Sequence, residues 1–235
     1  YMYFNDAFSI TNNLLNTPVY QINNPVRALY RDHEHTLWVG TKGNGILRIK
    51  NYSPESALSE SFDRISVSNS ALTDNSVYCF APGSADKLWI GTENGLNYYS
   101  YKKKQIRDFP VIVNGETLKY VHSINELNDS TLWIATVGKG IVKVVFSENN
   151  ASPTLKSATK IVVDNGRMAS NYFFISFQEN DSTLWFGNRG CGAYKLNINT
   201  EKLTPYSFDD IVNSQTTNDI FAIYKNQKGY WFGTG

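Results

Sequence analysis

A five-residue segment that recurs five times constrains the fold of this chain more than any other feature. The copies read LWVGT at 37–41, LWIGT at 88–92, LWIAT at 132–136, LWFGN at 184–188 and YWFGT at 230–234. They contain all five tryptophans of the 235-residue sequence, at spacings of 51, 44, 52 and 46 residues. Self-similarity at such a period indicates a repeat architecture.

A hydrophobic residue precedes each of the first four tryptophans by 12 positions and the fifth by 11; these residues are Val26, Val77, Val121, Phe173 and Ile220. Mostly small residues follow two positions later, at Ala28, Cys79, Ser123, Ile175 and Ala222. This alternation predicts a strand with one closely packed face. Turn-forming residues separate that strand from the Trp strand, and a glycine turn then leads to a third strand and a more variable fourth.

Four antiparallel strands in each unit predict an all-β fold, a β-propeller of about five repeats. The composition agrees, because 26 asparagines against 12 alanines favour turns over helices. A solenoid of helix pairs is excluded, since the units show no period of 3.6 residues. The net charge of +1 argues against nucleic-acid binding.

Each repeated tryptophan is expected to pack between adjacent blades as a structural anchor. These anchors are Trp38, Trp89, Trp133, Trp185 and Trp231. The glycine two positions after the tryptophan permits close approach of the neighbouring backbone, and Ala135 replaces it in the third copy.

The repeated pattern resembles the two-component regulator propeller repeat. The clearest copy carries Asn75, Val77, Phe80, the segment 88–92 and the turn Gly95-Leu96. The resemblance covers nearly the whole chain and implies seven blades in each propeller. It also implies the periplasmic sensor region of a hybrid two-component system, which binds an oligosaccharide and signals to a histidine kinase.

Both ends of the sequence fall in the middle of a predicted blade, so residues 1–235 are expected to form one propeller segment. The segment YMYFN at 1–5 aligns with a third strand, and the sequence stops just after a second strand. Either the two half-blades pair to close a five-bladed ring, or the chain belongs to a larger propeller, which the resemblance favours.

Candidate ligand-binding residues come from a column that lies 11 positions before the first four tryptophans and 10 before the fifth. It holds Arg27, Tyr78 and His122, with Phe174 and Phe221 as equivalents. Such varied chemistry predicts either packing between blades or the lining of a central mouth. Loops expected at the same mouth add Lys42, Glu93, Tyr120, Lys139, Tyr172 and Arg189. Amides, guanidinium groups and rings suit a polyhydroxyl ligand, and the basic residues favour an anionic one, although each could be an ordinary solvated turn residue.

The expected function is therefore oligosaccharide sensing, without catalysis or cofactors. The full sensor is expected to signal as a homodimer, and to meet the membrane only through segments outside this chain. A protein-interaction propeller is the alternative, and a propeller lyase or hydrolase based on His122 is a weaker one. His33 and His35 lack an evident third metal ligand, and Cys79 and Cys191 fall too far apart in the repeat for a disulfide.

Overall fold

The computed structural model describes residues 24–52, 62–84, 86–149, 152–161, 170–206 and 218–235. The described residues contain twenty strands and no helix, so none of them is in a helix that could cross a membrane. The expected third strand at residues 1–5 lies outside the described residues.

The strands form successive antiparallel sheets in chain order. The first sheet consists of β1 (Val26–Arg31), β2 (Leu37–Thr41), β3 (Ile46–Ile49) and β4 (Phe62–Ile65). The second consists of β5 (Val77–Gly83), β6 (Lys87–Thr92), β7 (Gly95–Ser100) and β8 (Gln105–Asp108). A small hairpin of β9 (Ile112–Val113) and β10 (Glu116–Thr117) follows it.

The third sheet consists of β11 (Val121–Leu127), β12 (Thr131–Thr136), β13 (Gly140–Asn149) and β14 (Ser152–Ile161). The fourth consists of β15 (Phe173–Asn180), β16 (Thr183–Asn188), β17 (Ala193–Asn197) and β18 (Lys202–Tyr206). A pair, β19 (Ile220–Asn226) and β20 (Gly229–Thr234), begins the fifth. The predicted all-β propeller of four-stranded antiparallel blades is confirmed, with each repeated tryptophan on the second strand of its blade.

Most of the core lies between blades, and one buried cluster that includes Val39 and Leu47 lies within the first blade. One buried cluster joins Trp38 and Ile46 of the first blade to Leu88 and Tyr99 of the second. Similar clusters join the second blade to the third, and the third to the fourth. Adjacent blades therefore bury apolar faces against each other, as expected of stacked repeats that cannot bury a face alone.

Four of the five tryptophans are enclosed at these interfaces. Trp38, Trp89 and Trp133 are at most 1% exposed, and Trp185 is 5% exposed. The Trp38 ring lies 4.8 Å from that of Tyr99 in the next blade. Trp231 departs from the expectation of a buried anchor, because it is 58% exposed and no further blade lies against its sheet among the described residues.

Carboxylates accept hydrogen bonds from three of the buried indole nitrogens. Asp32 accepts from Trp38 at 2.7 Å within one blade, whereas Glu126 accepts from Trp89 of the preceding blade. Glu179 accepts from Trp185 at 2.8 Å. The indole nitrogen of Trp133 is buried without a hydrogen-bond partner.

Glu179 also accepts hydrogen bonds from Lys225 at 2.7 Å and from the Tyr230 hydroxyl, both in the following blade. Burial alone would raise the pKa of this carboxyl. The hydrogen bonds from Lys225, Tyr230 and Trp185 outweigh burial together and lower the pKa to about 2. Glu179 is thus ionised, and its hydrogen bonds join the fourth blade to the fifth.

Candidate functional site

All five first strands carry the same backbone irregularity near their beginning. In β1, Val26 pairs with Thr41 and Ala28 pairs with Gly40, so Arg27 is the extra residue of a β-bulge. The equivalent extra residues in β5, β11, β15 and β19 are Tyr78, His122, Phe174 and Phe221. A bulge bends a strand and redirects the side chain of its extra residue.

The first strands of consecutive blades lie side by side, and the five bulged side chains line a single cavity of about 490 Å³. We call this space the axial cavity and the five residues the axial column. Six neighbours complete the lining, namely Ala28, Leu29, Cys79, Phe80, Ser123 and Ile175. The axial column therefore lines a central mouth, which is one of the two positions that the sequence left open for it.

Neighbouring members of the axial column contact one another in chain order. The Arg27 guanidinium lies 4.9 Å from the centre of the Tyr78 ring. The Tyr78 and His122 rings are stacked at 4.2 Å. The His122 ring meets Phe174 edge-on at 5.6 Å, and Phe174 lies 4.8 Å from Phe221. These contacts make a continuous aromatic surface with a cation at one end.

Burial favours the neutral forms of His122 and Tyr78. Burial, and secondarily the nearby Arg27 charge, lowers the pKa of His122 to about 4. Burial and the Glu93 carboxylate raise the pKa of Tyr78 to about 12. The Tyr78 hydroxyl donates a hydrogen bond of 3.2 Å to Glu93 Oε2. Burial also raises the pKa of Cys79 to about 12, so this lining residue is a thiol rather than a nucleophilic thiolate.

The other sequence-predicted candidates lie on loops outside the cavity lining. Lys42 and Arg189 are exposed, and each backbone N–H donates at 2.9 Å to a carbonyl that lies just before the first strand of its own blade. Tyr120 and Tyr172 are 39% and 42% exposed. The Lys139 ammonium is paired with Glu116.

The structure thus brings Arg27, Tyr78 and His122 together and connects Glu93 to them through Tyr78. It adds Phe174 and Phe221, which the candidate set left out although they occupy the same position before the tryptophan. That shared position was the signal that could have found them.

The remaining histidines make contacts of another kind. The His33 ring lies 4.5 Å from that of Tyr101, and His35 Nδ1 lies 2.9 Å from the Arg31 guanidinium. Within the described ranges, no group of three or more His, Cys, Asp or Glu side chains is placed to hold a metal ion. No disulfide joins Cys79 and Cys191.

Comparison with known proteins finds similarity to one repeat family in two segments of the chain. The family model described as "Two component regulator propeller" matches residues 20–43 and 71–94. "Histidine kinase P4" of Formosa agariphila is 24% identical over 216 residues, which are 86% of this chain and 14% of that protein.

Solved structures share the fold. The extracellular domain of the hybrid two-component system BT4673 from B. thetaiotaomicron is 19% identical, with a TM-score of 0.73, over 94% of this chain and 30% of that one. The corresponding domain of BT3049 from the same organism is 20% identical, with a TM-score of 0.62, over 90% of this chain and 28% of that one. The chain thus spans less than a third of each of these two domains and 14% of the histidine kinase. Residues 20–43 and 71–94 are thus similar to the two-component regulator propeller repeat, and the chain folds as a β-propeller.

Proposed function

We propose that this chain is part of the extracytoplasmic sensor region of a hybrid two-component system, and that an oligosaccharide binds in its axial cavity. Binding is relayed to a histidine kinase through a homodimer of the full sensor. In this proposal the sensor region lies in the periplasm. The propeller repeats, the named histidine kinase relative and the extracellular domains with the same fold support this proposal.

The axial column is the observation that carries the ligand-binding part of the proposal. Four rings and one guanidinium face a common cavity of about 490 Å³, within the range of small-molecule sites. Aromatic faces pack against the apolar faces of sugar rings, while the guanidinium and the imidazole bond to hydroxyl or acidic groups. A saccharide needs both kinds of contact, and the column supplies both within one cavity.

The alternatives are less well supported. A mouth filled with bulky apolar side chains would favour a protein-interaction propeller. This cavity is instead open, and its lining includes Arg27, His122 and Ser123. A lyase or hydrolase needs a histidine beside a carboxylate or metal. The His122 ring instead contacts the rings of Tyr78 and Phe174.

Isothermal titration calorimetry of the intact sensor region against a panel of oligosaccharides tests the proposal. We expect Phe221→Ala to weaken binding by about two- to tenfold, the value of one aromatic contact. Tyr224→Ala is the matched control, because Tyr224 lies on the same strand, is 61% exposed and does not line the cavity. Absence of binding to every oligosaccharide by a folded sensor region would refute direct sensing.

A further inference from the structure

The axial column changes in chemical character from one end to the other. Arg27 is a cation, Tyr78 and His122 are neutral polar rings, and Phe174 and Phe221 are hydrocarbon rings. Phe221 is 48% exposed, so its face is available at the apolar end. A ligand that lies along the column therefore meets a charge at one end and apolar faces at the other.

Arg27 is the one charged residue among the eleven that line the axial cavity. None of the ion pairs between described residues includes it. The guanidinium lies over the face of the Tyr78 ring. Among the described residues, its planar fork of N–H donors therefore has no carboxylate partner. A guanidinium in this setting matches the two oxygens of a carboxylate or the oxygens of a sulfate.

The surrounding groups leave this positive charge uncompensated within the cavity. His122 is neutral at pH 7 because its pKa is about 4, and the Glu93 carboxylate, which accepts the Tyr78 hydrogen bond, is not part of the lining. The loop cations Lys42, Lys139 and Arg189 also lie off the lining, and Lys139 is already paired. Arg27 alone therefore gives the cavity its charge.

We infer that the ligand is an anionic saccharide whose carboxylate or sulfate group lies at Arg27, and whose sugar ring packs on Phe174 and Phe221. This inference rests on the proposed function and specifies its ligand class. The exposed Arg27 side chain supplies recognition of the acidic group, because its planar fork can donate two parallel hydrogen bonds to a carboxylate or sulfate. The phenyl rings supply contact area that does not depend on charge.

Matched ligand pairs test the acidic group in the intact sensor region. One pair is trigalacturonate and its methyl ester, which keeps the sugar rings and removes the charge. The other pair is a sulfated galactan oligosaccharide and its desulfated form. The inference predicts that the charged member of at least one pair binds tenfold or more tightly than its neutral partner, the effect of about one charge-assisted hydrogen bond. The pair that shows the difference identifies carboxylate or sulfate as the group recognised.

Variants then locate the effect. Arg27→Met should remove the preference for the charged member and its weakening by added salt, while Arg27→Lys should retain part of both. Arg64→Met is the matched control, because Arg64 is an exposed arginine on the outer strand β4 of the same blade. Thermal unfolding of each variant checks that the fold is retained.

Three results would overturn the inference. If both members of each pair bind equally, the proposed function stands but the ligand class is wrong. If Arg27→Met keeps the full preference for the charged member, the acidic group is recognised elsewhere. If no saccharide of either charge binds to the folded sensor region, the proposed function fails and the inference fails with it.

Discussion

The substitution Gly91→Ala tests how closely consecutive blades are packed. Gly91 lies on β6 opposite Cys79, with the first strand of the third blade behind it. A Cβ at this position would lie 2.5 Å from Cys79 Sγ and 2.6 Å from the backbone oxygen of Val121. Side chains can rotate away from such a contact, but a strand carbonyl can move only if its blade moves with it.

The magnitude follows from these contacts. Overpacking a filled core costs about 1–3 kcal/mol, and a contact with backbone places this substitution in the upper part of that range. Replacing glycine also restricts the unfolded chain, which offsets about 0.5–1 kcal/mol. We therefore expect Gly91→Ala to lower the free energy of unfolding by about 2 kcal/mol, or about 30-fold in the unfolding equilibrium constant.

Urea unfolding of the intact sensor region, followed by tryptophan fluorescence, measures this difference. Gly40→Ala is the matched control, since its nearest neighbours are side-chain atoms of Val77, Ala28 and Phe80 at 2.9–3.2 Å. We expect that variant to lose less than half as much stability. Adding Cys79→Ala to Gly91→Ala should recover only part of the loss, because the Val121 oxygen remains. Equal losses at Gly40 and Gly91 would refute the account of blade spacing.

Three further predictions concern ionisable groups. The low folded pKa of Glu179, about 2, contributes stability above the usual value of 4.5 that is lost as the pH falls toward 2. Thermal unfolding against pH should therefore be flatter for Glu179→Gln in that window, and parallel curves would contradict this. In NMR titrations, His122 should have its midpoint near pH 4 rather than 6.5. The free energy of unfolding should decrease as the pH falls from 6.5 to 4, because the unfolded chain takes up the proton first. A midpoint near 6.5 would show that the ring is solvated. The Lys87 ammonium is 1% exposed and lies 2.8 Å from Glu148 Oε2, so Lys87→Met should cost about 3–5 kcal/mol in urea unfolding. Adding Glu148→Gln should recover most of that loss, and no recovery would mean that Lys87 acts without its partner.

Patterns within one unit were enough to predict the blades. Alternation at period two specifies a strand, and turn residues such as those at 128–130 and 180–182 specify its ends, because both act over a few residues. The repetition of these patterns predicted the antiparallel order that the sheets show. The short hairpin of β9 and β10 belongs to no repeat, which is why the repeat gave no sign of it.

Contacts between units could not be predicted in this way. The indole nitrogen of Trp38 bonds to Asp32, six positions away, while that of Trp89 bonds to Glu126, 37 positions away in the next blade. Equivalent tryptophans thus have partners from different places in the repeat. Lys139 was expected to charge the mouth, but Glu116 pairs with it across 23 positions.

The candidate site shows the same division. The sequence by itself determined that Arg27, Tyr78, His122, Phe174 and Phe221 occupy one position of the repeat, because each precedes its tryptophan by an almost constant interval. It left open whether that position packs between blades or faces the axis. The tertiary structure decided this through the β-bulge in every first strand, which directs the extra side chain into the axial cavity. It also decided which charge lies there, since burial favours the neutral form of His122, and the lining of the cavity includes Arg27 but no carboxylate.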